Sequence, residues 1–249
     1  GLIDIYVGTD GAEMDAIDDI TPTAYEEANG SGSGTYNDIG TLAGQMGIGI
    51  KGDVPILGAV NFKYYPKVDS TKNTDNAASG GANHGVGSGE SISIKTNFAD
   101  LPVIGGALDG ATLTTGYSSD ETSTVANTDD GTELTAALNY AAGAVSVGLQ
   151  KKYRNDGQTA ALTDAVFYKD TVIGLAYAVN DELSISWNRY TSDRKSVTAD
   201  NNEQETDAIN IGYTVGGMTI GFQDASTDNA NYVLNAKDDT RTIGVSVAF

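Results

Sequence analysis

Short segments in which apolar and polar residues alternate one by one recur along the whole chain of 249 residues. The final stretch is an example, because Ile243, Val245 and Val247 are separated by Gly244 and Ser246. A period of two is typical of a β-strand with one apolar and one polar face. We count about twelve such segments and almost nothing with the period of a helix. The sequence therefore predicts an all-β protein.

The connections between the predicted strands alternate between two lengths. The short ones are 52–53, 141–143, 179–181 and 215–217, with 99–110 as an oversized member of this class. The long, polar and acidic ones are 9–40, 68–89, 118–131, 155–169, 191–203 and 224–239. Short turns at one rim and long loops at the other are typical of a transmembrane antiparallel β-barrel. Segment length agrees, since about 9 to 11 residues cross a bilayer at the usual tilt.

The composition of the polar face helps to distinguish a soluble protein from a membrane barrel. A soluble secreted β-sandwich would show the same alternation, with its apolar face turned to a core. Its outer surface would carry dense Lys and Glu, whereas the polar positions here are mostly Ser, Thr, Asn, Gln and Gly. This difference favours a barrel with a polar interior.

Aromatic residues at the strand ends point the same way. One predicted belt, at the rim of short turns, consists of Tyr140, Tyr177, Tyr213 and Phe249. A second, near the long loops, consists of Tyr117, Tyr153, Tyr190 and Phe222. Two such belts are expected where a barrel meets the two interfaces of a membrane.

Charge and composition exclude several functions. The chain has 34 acidic and 14 basic residues, a net charge of −20, which would repel nucleic acid. It contains no Cys, which excludes a disulfide framework and cysteine zinc sites. The sequence contains no run of about 18 apolar residues, which a transmembrane helix would need. Because it has neither an initiator Met nor a signal peptide, we expect a processed chain or a fragment.

Two segments resemble parts of the trimeric general porins of Gram-negative outer membranes, most closely the alphaproteobacterial type. One is the closing strand that ends at Phe249, which is similar to the signal read by the outer-membrane assembly machinery. The other is 1–15, where a strand ending in Gly8 leads directly into an acidic loop. The resemblance implies one porin domain over 1–249, with 9–40 as a constriction loop folded into the pore. It also implies a homotrimer in the bacterial outer membrane, in contact with lipid and lipopolysaccharide.

The position of the loop departs from the family pattern. Porins of this kind have sixteen strands, and their constriction loop follows the fifth. Here it follows the first predicted strand, so we expect the chain to correspond to strands five to sixteen of such a barrel. A barrel that closes with twelve strands is the alternative, since an even number can also close.

The resemblance implies a water-filled channel for passive diffusion of small hydrophilic solutes and ions. The predicted acidic residues of the constriction are Asp10, Glu13, Asp15, Asp18 and Asp19. Carboxylates in a confined pore concentrate cations, although a solvated acidic surface loop is the other interpretation. The basic residues whose parity turns them toward the lumen are Lys51, Lys63, Lys95 and Lys152. With acids in excess, we expect a mild preference for cations.

An outer-membrane barrel enzyme and a structural or adhesive barrel would share these strands and loops. A phospholipase barrel needs a His and a Ser on its wall, and the only His, His84, lies in the Gly-rich stretch 76–89. We therefore predict no catalysis and no organic cofactor. Adjacent acids in the long loops are candidate Ca²⁺ ligands, although no segment has the spacing of an EF-hand. These pairs are Asp120 with Glu121, Asp129 with Asp130, and Asp238 with Asp239.

Overall fold

Twelve β-strands make up most of the structure, a computed structural model that describes residues 3–9, 14–29, 39–66, 88–102, 106, 108–120, 130–155, 165–196 and 201–247. The strands are β1 Ile3–Gly8, β2 Gly47–Val54, β3 Gly58–Tyr65, β4 Gly89–Asn97, β5 Ala111–Asp120, β6 Gly131–Ala142, β7 Val145–Asn155, β8 Ala165–Ala178, β9 Leu183–Ser196, β10 Glu203–Val215, β11 Met218–Asp228 and β12 Lys237–Val247. Short 3-10 helices occur at Asp15–Ile17, Phe98–Asp100 and Ala230–Tyr232. None of the helices in these ranges has the length and apolar character needed to span a membrane.

The strands form one sheet in which each is antiparallel to the next along the chain. Within the described ranges β1 pairs with β2 alone, and β12 pairs with β11 alone. The predicted all-β class, the antiparallel arrangement and the number of strands are confirmed.

The register keeps residues of one parity on one face across the whole sheet. A polar row runs from Thr135 of β6 through Lys152 and Asp170 to Ser192 of β9. The face of this row also carries the segment 14–29, and we call it the inner face. Successive side chains of a strand point to opposite faces, so the apolar residues between these polar ones lie on the other, outer face.

The outer face exposes large apolar side chains along most strands. At the two ends of the sheet Ile5 is 75% exposed and Ile243 is 73% exposed, whereas Ile211, on a strand with two neighbours, is 39% exposed. Exposed apolar residues of the central strands are Leu134, Leu138, Val147, Leu149, Ile173, Leu175, Ile185 and Ile209. A continuous apolar face of this kind is not stable against water and marks a surface that meets lipid or protein.

Charged residues replace the apolar ones toward the ends of the strands that lead into the long connections. On β9 and β10 the guanidinium of Arg189 donates to Asp207 at 2.6 Å and 2.9 Å and lies 3.3 Å from Glu205. The indole of Trp187 donates to the same Asp207 at 3.1 Å. The outer face therefore changes from apolar to charged along each of these two strands.

The first half of one predicted strand is not a strand. The alternation of 42–51 predicts a strand from Leu42, but β2 begins at Gly47. Residues 41–44 form a turn, with positive φ at Gly40 and Gly44 and a hydrogen bond from the Ala43 N–H to the Gly40 carbonyl. Leu42 is 3% exposed, so its burial, and not strand pairing, accounts for its apolar character. The connection between β1 and β2 consequently runs over 9–46.

The turn predicted at 52–53 lies instead at 55–57. The ladder between β2 and β3 continues through Gly52 and Asp53 to Val54. Pro55 cannot donate to a ladder and ends it. Ile56 then takes a φ of 74° and Gly58 a φ of 86°, which reverse the chain.

Two turn glycines, Gly110 and Gly143, allow a test of how closely the turn before β5 packs against β6. Both have positive φ, 90° at Gly110 and 60° at Gly143, but an added Cβ would strike the Ala141 carbonyl only at Gly110. Gly143→Ala should cost about 1 kcal/mol of stability, the strain of a left-handed alanine, and Gly110→Ala at least about 2 kcal/mol because a clash is added. Urea unfolding of the refolded protein in detergent measures both. Equal costs would show that the Gly110 turn can move away from β6.

Candidate functional site on the inner face

The segment 14–29 lies across the inner face and touches every strand from β5 to β12. It runs over glycines of the inner face, where a side chain would collide with it. Gly116 lies under Met14 and Ile17, and Gly221 lies under the ring of Tyr25. The other glycines in contact with the segment are Gly148, Gly174, Gly212 and Gly244. Their missing side chains leave the space that the segment occupies.

Amide side chains of β6 and β7 bind the first part of the segment. The Gln150 amide nitrogen donates to the Ile17 carbonyl at 2.7 Å, and its oxygen accepts from the Ile20 N–H at 3.2 Å. The Asn139 amide donates to the Ile20 carbonyl at 2.8 Å. Since Gln150 is fully buried, these bonds satisfy polar groups that have left water.

Residues of β9 bind the middle of the segment. The Asn188 amide donates to the Pro22 carbonyl at 2.9 Å. The Ser186 hydroxyl accepts from the Ala24 N–H at 2.9 Å and donates to the side-chain oxygen Oδ1 of Asn188 at 3.0 Å. The two β9 side chains thus hold the segment and each other.

On β10 and β11 the same pattern continues. The Gln223 amide donates to the Glu27 carbonyl at 2.7 Å and the Glu26 carbonyl at 3.1 Å. It also donates to Asn210, whose own amide donates to Asn188. A continuous chain of buried amides therefore joins β9, β10 and β11 beneath the segment.

A single carboxylate binds the connection between β1 and β2 at Gly40 and Thr41, shortly before β2 begins. Glu133 of β6 is 1% exposed and accepts from the Gly40 N–H at 3.0 Å and 3.1 Å, one bond to each oxygen. It also accepts from the Thr41 N–H at 3.1 Å and the Ser118 hydroxyl at 2.7 Å. In these contacts the carboxylate is thus held by neutral hydrogen-bond donors and not by a cation, as is usual for carboxylates at backbone N–H groups.

The four lysines predicted on the lumen side all lie on the inner face, in three different settings. Lys63 is fully buried, 5.0 Å from the ring centroid of Tyr65 and 6.0 Å from that of Tyr6, and Lys51 lies 5.8 Å from the Tyr6 ring. Lys95 is exposed on β4. Lys152 lies 3.3 Å from Asp19. The lysines do not form one continuous basic wall.

The predicted acidic residues are likewise separated. Asp19 pairs with Lys152, which also lies 4.5 Å above the Tyr190 ring. Asp15 is exposed and adjoins Gly40, and Asp18 is half-buried. The other two predicted members, Asp10 and Glu13, lie outside the described residues.

The belt residues at the short turns are on the outer face, where Tyr140, Tyr177 and Tyr213 are 37–45% exposed. Phe249 lies outside the described residues. The prediction for Tyr190 is wrong, because the parity of β9 turns it inward. It is fully buried there and donates to Asp170 at 3.0 Å.

The candidate Ca²⁺ ligands and His84 add no site to the part of the chain that the structure describes. Within that part, no three His, Asp or Glu side chains come close enough together to hold a metal ion. His84, Glu121 and Asp129 lie outside it. Asp238 and Asp239 point to opposite faces of β12, as neighbours in a strand do.

The residues that hold the segment were not singled out in the sequence. Gln150, Asn188, Asn210 and Gln223 have the parity of the inner face, and that is the only signal the sequence offers. Parity shows that such amides point inward, but any polar lumen would contain them. Their contacts with a segment more than 120 residues away in sequence depend on the fold.

Replacing Glu133 tests how the connection is held. In Glu133→Gln one oxygen becomes an amide nitrogen, which meets N–H groups that need an acceptor. We expect a loss of about 1.5 to 3 kcal/mol of stability, measured by urea unfolding. The matched control is Glu182→Gln, because Glu182 is exposed and its carboxylate accepts only a 3.3 Å bond from Tyr213 among the contacts described. Equal stability of the two variants would contradict the role given to Glu133.

The sequence was also compared with known proteins. No protein-family model matches the chain, and no curated protein matches it. The function is therefore inferred from the fold and from the contacts of the inner face.

Proposed function

We propose that this chain forms a porin of the bacterial outer membrane, a water-filled channel through which small hydrophilic solutes and ions diffuse passively. The observation that carries the proposal is the segment 14–29, held across a polar face by side chains of the sheet. A sheet whose inner face served only as a protein core would bury apolar residues there. Here Gln150, Asn210 and Gln223 are fully buried on that face.

The outer face supports a membrane environment. Large apolar residues on it are exposed by up to 75% on strands throughout the sheet, and in lipid this exposure costs nothing. Tyr140, Tyr177 and Tyr213 lie near the short turns, where rings favour the membrane interface. The charged group around Arg189 lies at the other end, where an aqueous or lipid head-group environment would solvate it.

The presence of segment 14–29 favours a channel with a controlled width over the alternative of a purely structural or adhesive barrel. Hydrogen bonds from side chains of β6, β7, β9 and β11 to its backbone fix its distance from the wall. A segment fixed in this way narrows a lumen by a constant amount, which sets an upper size for solutes. The proposal includes assembly as a homotrimer, contact with lipid and lipopolysaccharide, no catalysis and a mild cation preference from the net charge of −20.

Channel formation can be measured in planar lipid bilayers. The refolded protein should give stable single-channel current steps whose size grows with salt concentration. In a salt gradient the reversal potential should indicate a mild preference for cations. Absence of steps from protein that has folded and inserted would overturn the channel, and an anion-selective reversal potential would overturn the preference.

The role of the segment can be tested by loosening it. Gln223→Leu removes the hydrogen-bond donors to the Glu26 and Glu27 carbonyls. The loss should weaken the attachment of the segment to the sheet by about 1 to 3 kcal/mol. Because the loosened segment can move away from its place on the wall, we expect the Gln223→Leu channel to have a larger mean conductance and more current noise. The control is Asn201→Leu, because Asn201 is exposed and bonds only to Ser196 among the described contacts. An unchanged conductance in a folded Gln223→Leu channel would contradict a constriction by this segment.

A further inference from the structure

A cavity of about 340 Å³ lies beside the segment, between it and the inner face of β3 to β6. The segment lies against β5 to β12, and the cavity opens between Ala16, Ile17 and Ile20 of the segment and the inner face from β3 to β6. Its volume is at the low end of the range for small-molecule sites. The space is therefore suited to one small organic molecule.

The two walls of this cavity differ in polarity. The segment contributes three apolar side chains, Ala16, Ile17 and Ile20. Besides Lys95, the opposite wall contributes mainly hydroxyl and amide groups, from Asn61, Ser93, Thr112, Thr114 and Asn139, with Ala59 as its one apolar residue among those described. A molecule with an apolar body and a polar end satisfies both walls, whereas a fully hydrated ion satisfies only one.

The charge of the cavity comes from Lys95, on the polar wall. No carboxylate is among the described residues that line it, and the ammonium of Lys95 forms no ion pair within those ranges. The adjacent part of the segment carries three acids, Asp15, Asp18 and Asp19. None of them is among the described residues that line the cavity, and Asp19 pairs with Lys152. The polar end favoured here is thus an anion.

We propose that this cavity is a binding site for small organic anions with an apolar body, such as short aliphatic or aromatic carboxylates. The carboxylate lies at Lys95 and the hydroxyl wall, and the body lies against Ile17 and Ile20. The proposal rests on the proposed channel, in which such molecules bind on their way through. It is compatible with a mild overall cation preference, because one local cation does not set the potential of a chain with a net charge of −20.

Benzoate is a suitable probe, with benzyl alcohol and acetate as controls that lack the charge or the ring. Binding to detergent-solubilised protein is measured by calorimetry, and transient block by single-channel recording. Benzoate should bind and block more strongly than either control. Equal binding of benzoate and acetate would show a general attraction of anions and would overturn the proposal.

Substitutions in each wall of the cavity test its separate contribution to benzoate binding. Lys95→Gln should weaken benzoate binding about fivefold, the worth of one exposed charge contact, and Lys95→Arg should restore it. Ile17→Ser should weaken benzoate and benzyl alcohol alike. Lys151→Gln makes the same charge change on the outer face, where Lys151 donates to Thr171, and should have no effect. An effect of Lys151→Gln equal to that of Lys95→Gln would also overturn the proposal.

The outcomes distinguish this proposal from the channel itself. Current steps without benzoate binding would leave the channel in place and refute the site. Benzoate binding that depends on Lys95 and Ile17, without current steps, would support the site and refute the channel.

Discussion

The structure depends on the hydrogen bonds between buried amides of the inner face and the backbone of segment 14–29. The described part of this segment is irregular apart from one 3-10 turn, so few of its N–H and C=O groups have partners within it. Buried backbone groups without partners each cost about 1 to 3 kcal/mol, and Gln150, Asn188 and Gln223 supply partners to several of them. The polar character of the inner face is thus a structural requirement, apart from its role in the proposed channel.

These bonds also make the interior asymmetric. The glycines of β5 to β12 let the segment approach the wall closely on one side, and the open space remains on the side of β3 and β4. The ion pair of Asp19 with Lys152 belongs to the closed side. Lys95 belongs to the open side, so the charged groups that a solute would meet in the proposed channel differ from those counted along the loop.

The outer face imposes a separate constraint. Apolar burial contributes about 25 cal/mol per Å², so a face of exposed Ile, Leu and Val across the sheet would be a large penalty in water. In the membrane setting that we propose, lipid removes the penalty without requiring a second layer of protein. In that setting, the change from Ile209 and Ile211 to Asp207 and Glu205 along β10 corresponds to leaving the apolar layer.

The sequence by itself determined the all-β class, the twelve strands, and the face on which most residues lie, because alternation with a period of two is a local property of the backbone. It failed where burial in an irregular segment imitates a strand, as at Leu42. It failed also at Tyr190, which was assigned to a belt from its position near a strand end although its parity turns it to the inner face. Only the tertiary structure decided which inner-face residues hold segment 14–29, and that Asp19 faces Lys152 while Lys95 faces open space. Those contacts join residues far apart in the chain, and their distances follow from how the sheet and the segment pack together.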